Sequence, residues 1–200
     1  MPLFREAFVL ITYSFVGYLC GSCVFSLWIP RWLGKSDPRR TGSGNIGATN
    51  VFRSSGWKIA AAVFVCDVLK GWIPVFLCPI PLFQWTIGLG CVLGHLFPWT
   101  AQFKGGKAVA TSLGVFMAIS PVLCPIGLLS WWGIWSIKHY VSVASLGALY
   151  IILIWFLFLG SPLDRTASLC LALLVTWAHR HNLIRLYKKQ EPQTGKQRCS

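Results

Sequence analysis

Apolar residues along this 200-residue chain come in long unbroken runs rather than in the one-face or alternating patterns of a soluble fold. The runs cover 6–29, 59–79, 83–99, 109–123, 124–138, 143–160 and 166–182. A bilayer-crossing helix needs about 20 apolar residues, fewer where it is short or broken. The pattern therefore predicts an all-α integral membrane protein of about seven transmembrane helices. Proline and glycine punctuate the joins, at Pro79-Ile80-Pro81, Ser120-Pro121, Pro125 and Gly160-Ser161-Pro162. The first uncharged stretch, Ala7 to Pro30, exceeds the ~7–15 residues of a signal-peptide core. No small-residue cleavage site follows it, so it reads as a retained span. Neither an internal repeat nor a low-complexity segment interrupts the chain. The expectation is one polytopic domain over 1–200, with a short polar tail from about residue 188 that frays.

Charge turns this pattern into an orientation. Only five acidic side chains stand against eighteen basic ones, and 12% of residues are charged, against about 25% in soluble domains. A nucleic-acid binder would spread its bases over a wetted surface. Here they gather in short segments between apolar runs, so nucleic acid is excluded as a partner. With the N-terminus outside, all of the lysines and arginines except Arg5, Arg165 and Lys70 fall on one side. The positive-inside rule makes that side the cytoplasm, with the C-terminus there too. Five spans keep the same parity if the middle of the chain is re-entrant. The eight cysteines fall mostly inside apolar runs, where small polarizable core residues are expected. Cys20-x-x-Cys23 has no nearby histidine or acid that makes it a metal site.

Three cytoplasmic segments carry anion-binding chemistry. The first, Thr41-Gly-Ser-Gly-Asn-Ile-Gly-Ala-Thr-Asn50, combines glycines with Ser43, Asn45, Thr49 and Asn50 as neutral donors. Arg39, Arg40 and Arg53 add positive charge, and no carboxylate lies between Asp37 and Asp67. Successive N–H groups curled into a concave nest bind anions. The second, Phe103-Lys-Gly-Gly-Lys107, sets Gly105 and Gly106 between Lys104 and Lys107 at the start of a predicted helix. A helix N-terminus offers unpaired N–H groups and about half a positive charge. The third places His179, Asn182 and Arg185 near one face at helical spacing. The plain alternative is that such loops only set topology and touch acidic lipid. Topology needs neither the glycines nor the amides.

Two further features carry open readings. His95 is either a packed core histidine or part of the second segment. Asp67 and Lys70, at i and i+3 inside an apolar run, are expensive there and expected to be paired or functional. An ion pair bracing the helices or the first loop is the preferred reading, and a proton relay is the other. Familiar catalytic signatures are absent. Ala101 and Ala108 break the Walker pattern around Lys107, no Gly-x-Ser-x-Gly occurs, and His95 meets Thr100 where an aspartate would stand. No cluster resembles a metal or cofactor site. A reactive substrate would need little beyond orientation and charge stabilisation.

Taken together, Gly42-Ser-Gly-Asn-Ile-Gly-Ala-Thr-Asn50, Asp67-Val-Leu-Lys-Gly71, Gly94-His-Leu-Phe-Pro98 and Phe103-Lys-Gly-Gly-Lys107 strongly resemble the bacterial acyl-phosphate:glycerol-3-phosphate acyltransferases, the PlsY family. Tyr140-Val-Ser-Val-Ala-Ser145 and His179-Arg-His-Asn182 continue the match in order, over roughly residues 7–191. The resemblance implies a multi-pass enzyme of the bacterial inner membrane with active-site loops facing the cytoplasm. It would move a fatty acyl group from acyl phosphate to the 1-hydroxyl of sn-glycerol 3-phosphate. Lysophosphatidic acid and inorganic phosphate would result, a step of phospholipid biosynthesis, with no cofactor. A soluble partner enzyme would supply the acyl phosphate.

By matching position, Ser43, Lys107, His179 and Asn182 are implied as catalytic. Thr49, Arg53 and Ser145, with Asn50, Lys104, Gly105, Gly106 and Arg185 from the loops around them, are implied as substrate-binding. Gly105, Gly106 and Lys107 are given to the acyl-phosphate group, and Arg53, His179 and Asn182 to the glycerol-phosphate head. Ser43 and Thr49 bridge the two. The donor's own phosphate would serve as base. Ala108, His139 and Ala178 stand where the family commonly carries Gly, Arg and Arg. The rival classes are an organic-phosphate transporter, expected to show paired halves or broken helices, and a non-catalytic lipid-binding scaffold.

Overall fold

A computed structural model describes residues 2–194. Lys196, Arg198 and Cys199, read above as tail residues, lie outside them. The described residues are helical and contain no strand. The chain forms two compact units that divide at Pro121/Val122. The first holds α1 (Pro2–Gly21), α2 (Phe25–Trp32), α3 (Ala48–Ser55), α4 (Trp57–Phe76), α5 (Pro81–Leu96) and α6 (Val109–Ile119). Short 3-10 turns at Pro38–Arg40 and Trp99–Ala101 punctuate its two longest loops. The second holds α7 (Leu123–Lys138), α8 (Val141–Leu159), α9 (Pro162–Ala178) and α10 (Arg180–Tyr187).

By length and composition, Phe4–Trp32, Trp57–Phe76 and Val141–Leu159 are long and apolar enough to cross a membrane. Among the shorter apolar helices, Val109–Ile119 spans 11 residues, about 16 Å at 1.5 Å per residue. The outer face of α1 shows how the apolar runs are spent. Phe4, Phe8, Ile11, Phe15 and Leu19 form an exposed helical stripe, a surface suited to lipid. The opposite face is made of small residues. A Cβ on Gly17 or Gly21 would strike the carbonyls of Ile87 and Cys91, and one on Gly90 or Gly94 those of Ser14 and Tyr18. Glycines four apart on both helices let α1 and α5 backbones touch, which is how helices associate where lipid removes the hydrophobic drive. Gly71 and Gly114 do the same for α4 and α6, against Thr111 and Val68.

Two predicted spans are each broken in two, and the first break exposes a carbonyl that finds a partner. The run 6–29 leaves the helix at Ser22-Cys23-Val24. The Cys23 carbonyl, freed by the break, accepts from Lys70 Nζ at 2.7 Å. Backbone carbonyls cannot go unpaired in an apolar interior, so the basic side chain inside α4 has a local purpose. Lys70 is also 2.7 Å from Asp67 Oδ1, both side chains being buried. The predicted ion pair is present. The run 166–182 turns at His179, which ends α9 and starts α10. Of seven free cysteines among the described residues, Cys78 and Cys91 are buried and Cys170 is exposed. The core role expected for them holds for those two.

The tail also departs from expectation. Rather than fraying after Tyr187, residues up to Thr194 are tied back. Glu191 takes three side-chain hydrogen bonds, and the Thr194 N–H donates to the His139 carbonyl at 2.9 Å. Trp135 Nε1 donates to Thr194 Oγ1 at 2.8 Å.

Candidate active site

In the first unit two loops build a polar cluster. Gly42 and Gly44 take left-handed φ of 56° and 70°, which their lack of a side chain permits. The loop they bend is stapled by Asn50, 1% exposed. Asn50 Oδ1 accepts from the Ser43 N–H at 3.0 Å, and Nδ2 donates to the carbonyls of Pro38 (2.6 Å) and Thr41 (3.0 Å). The sequence reading placed Asn50 among substrate contacts. Its amide is instead committed to the loop's own backbone. Ser43 and Arg53 are exposed and Thr49 is half-buried. Arg39 does not add free positive charge as expected. It pairs with Asp37, and its hydrogen bonds hold the Asp37 carboxyl below the ordinary carboxylate range.

The second loop runs from α5 to α6. Tyr18 Oη donates to the Phe97 carbonyl at 2.8 Å, and Thr100 Oγ1 to that of Ser22. Val24, Ile46 and Ala101 form a small apolar cluster with Leu27 beneath both loops. At Lys104-Gly-Gly-Lys107 the backbone is pressed against the end of α5. The Gly106 N–H donates to the His95 carbonyl at 3.0 Å. A Cβ on Gly105 would strike the carbonyls of His95 and Leu96, and one on Gly106 the Ile46 carbonyl and His95 Nε2. Gly106 thus contributes closeness, its N–H being turned inward. The Ile46 contact brings the two predicted anion loops together. Lys104 is exposed and Lys107 half-buried. Ala108, at φ 57°, is the left-handed residue that starts α6.

The second unit contains a polar cluster of a different kind. Glu191 Oε1 accepts from Asn182 Nδ2 and from Ser142 Oγ at 3.0 Å, and Oε2 accepts from Arg185 Nε at 2.8 Å. Burial pushes the Glu191 carboxyl up, but the hydrogen bonds from Asn182, Arg185 and Ser142 outweigh it and hold the group below its ordinary range. Arg185, expected on a substrate, is paired with Glu191. Ser145 Oγ accepts from Trp131 Nε1 at 3.1 Å. His179 is 1% exposed, with Nδ1 2.8 Å from the Val175 carbonyl. A carbonyl only accepts, so Nδ1 carries the hydrogen in that bond. Sequence reasoning missed Ser142 and Glu191. The available signal was that Glu191 is the one acid after Asp164 in a basic tail.

Membrane-length apolar helices place the protein in the class of helical integral membrane proteins, and the two Gly-rich loops that meet at Ile46 and Gly106 have the composition of an anion site. The comparisons narrow the class. The sequence profile of the family described as Glycerol-3-phosphate acyltransferase matches residues 11–189. A Glycerol-3-phosphate acyltransferase of Methylorubrum extorquens is 40% identical, covering 94% of each chain, and one of Listeria welshimeri is 39% identical, covering 92% of this chain and 96% of its own. The crystal structure of PlsY (YgiH), an integral membrane glycerol 3-phosphate acyltransferase, in its glycerol 3-phosphate form superposes with a TM-score of 0.88 at 37% identity. It covers 94% of this chain and 96% of that one. The lysophosphatidic acid form gives 0.86 at 35% identity. The chain belongs to the glycerol-3-phosphate acyltransferase family, of the PlsY type.

Proposed function

We propose that this protein transfers a fatty acyl group from acyl phosphate to the 1-hydroxyl of sn-glycerol 3-phosphate, in phospholipid biosynthesis. The acyl carbon's bond to the phosphate oxygen breaks, and an ester bond to the 1-oxygen forms. Inorganic phosphate leaves and lysophosphatidic acid remains. The hydroxyl proton passes to the donor's own phosphate. The observation that carries this reading is the meeting of the two Gly-rich loops at Ile46 and Gly106, in a member of this family. Two adjoining anion loops suit a reaction in which both substrates bear phosphate. The mixed anhydride of acyl phosphate is reactive, so orientation and charge stabilisation suffice.

In this reading Lys107 neutralises the departing phosphate, assisted by Lys104 and the Gly105–Gly106 backbone. Arg53 takes the phosphate of glycerol 3-phosphate, and Ser43 and Thr49 serve both substrates. His179, Asn182 and Ser145 keep the roles the family resemblance implies. The chain crosses the bacterial inner membrane about seven times, N-terminus outside, with its basic loops cytoplasmic. A soluble enzyme supplies the acyl phosphate.

The test is product formation by purified protein given glycerol 3-phosphate with either palmitoyl phosphate or palmitoyl-CoA. Lysophosphatidic acid from the phosphate and none from the CoA ester is expected. The reverse preference would overturn the donor assignment. Arg53→Ala is expected to raise the KM for glycerol 3-phosphate about tenfold, the scale of a lost charge-assisted contact, and an unchanged KM would remove Arg53 from that role.

A further inference from the structure

His95 stands apart from an ordinary packed histidine in what its two faces touch. On one side Nδ1 lies 3.0 Å from Thr111 Oγ1, in α6, and Thr111 is fully buried. Nδ1 is also 3.8 Å from Asp67 Oδ1, too long for a hydrogen bond but close enough to feel the charge. Asp67 is held by Lys70, and Lys70 by the Cys23 carbonyl. The ring therefore terminates a polar chain that draws on the break between α1 and α2, on α4 and on α6. On its other side, Nε2 occupies the space that a Gly106 side chain would need. The same residue's carbonyl accepts the Gly106 N–H.

We propose that His95 is a positioning residue for the Gly105–Gly106–Lys107 loop. Its imidazole is held by Thr111 beside the Asp67–Lys70 pair, and it fixes the path of the loop backbone and so the point from which Lys107 reaches a phosphate. The inference rests on the reading that this loop binds the acyl-phosphate group. A satisfied core histidine needs partners for its nitrogens and nothing more. Here side chain and carbonyl both bear on one glycine, and the Ile46 carbonyl of the first loop borders the same space where that glycine lacks a Cβ. The ring and the Ile46 carbonyl close on Gly106 at one point, so a shift of the ring is passed to the loop. Thr111 restrains the ring's rotation from a fully buried position.

The experiment compares wild type with Thr111→Val, His95→Gln, His95→Ala and Lys107→Ala, all purified as full chains in the same detergent. The kcat, the KM for palmitoyl phosphate, the KM for glycerol 3-phosphate and the melting temperature are read for each. Thr111→Val keeps the shape and exchanges only the hydroxyl for a methyl, and its melting temperature reports what that costs the fold. It is expected to raise the KM for palmitoyl phosphate about tenfold while kcat moves less than about threefold, the scale of sub-ångström misplacement. His95→Gln, which keeps a polar group near the position of Nε2, is expected to lose less than His95→Ala. If melting temperatures fall and neither KM moves in Thr111→Val or His95→Gln, the histidine only packs and the inference is overturned. If the glycerol 3-phosphate KM moves instead, positioning stands and the loop serves the other substrate. Lys107→Ala separates the two levels. Should it leave turnover and both KM values unchanged, the loop reading itself fails. Should it act while the His95 and Thr111 variants do not, only the positioning inference fails.

Discussion

The polar cluster of residues 41–107 and the cluster of residues 142–191 achieve order by opposite means. The first is made of backbone. Glycines bring chain against chain, one buried asparagine staples the loop, and charge comes from Arg53, Lys104 and Lys107 at its edges. The second is made of side chains. Ser142, Asn182 and Arg185 come from α8 and α10 and converge on one carboxylate from the tail. A backbone site is rigid because glycine spacing leaves no alternative path. A side-chain site lasts only while its central charge is present. The first should therefore be sensitive to added atoms and lost charge, and the second to pH.

The sharpest way to break this contrast is at Lys107. Lys107→Ala is expected to lower kcat about 10³-fold, some 4 kcal/mol of transition-state stabilisation, with folded yield intact. Near-wild-type turnover would leave the backbone cluster without its chemistry. Next is the brace beneath it. Asp67→Asn leaves Lys70 charged and buried, which costs about 3 kcal/mol where a polar partner survives. The expected result is lower folded yield, with turnover per folded molecule changed much less. Unchanged yield with a slower rate would mean that the pair acts in the reaction.

In the second cluster the lever is Glu191. Its carboxyl is held below its ordinary value of 4.5 in the folded protein. The unfolded chain therefore binds the proton first as pH falls. The stabilisation is complete above about pH 4.5 and is lost as pH drops through the lower folded value. Glu191→Gln is expected to cost about 2 kcal/mol, the worth of hydrogen bonds to a charged group, and to flatten that acid limb. A melting profile with the wild-type pH slope would show that the tail carboxylate does not hold the cluster. The smallest effect is expected at Ala108, an L-residue in a left-handed conformation. Ala108→Gly should stabilise the protein by about 0.5–1 kcal/mol, seen as a higher melting temperature.

The same contrast explains what could be read in the chain beforehand. The apolar runs and the Gly-rich loops were legible because lipid burial and tight turns each demand particular residues at short spacing. The ion pair of Asp67 and Lys70 was legible for the same reason, being three residues apart on one helix. The break after Gly21 was not, because the run stays apolar through it. What stabilises the break is a lysine 47 residues further on. The hold of Asn50 on its own loop was not legible because an amide in a polar loop serves ligand and backbone equally well on paper. Glu191 was invisible as a ligand of Asn182 and Arg185 because it sits in a stretch whose composition alone suggests fraying. The packing glycines of α1 and α5 were present at four-residue spacing, yet only the partner helix shows that the spacing is used.

The measurement that bears most directly on the account is the stoichiometry of phosphate and lysophosphatidic acid in one reaction. Purified protein would be given palmitoyl phosphate with and without glycerol 3-phosphate. The account predicts one phosphate released for each lysophosphatidic acid formed, and no release above background without glycerol 3-phosphate. Phosphate release that ignores glycerol 3-phosphate, or lysophosphatidic acid formed without phosphate release, would contradict a direct transfer between two phosphate-bearing substrates.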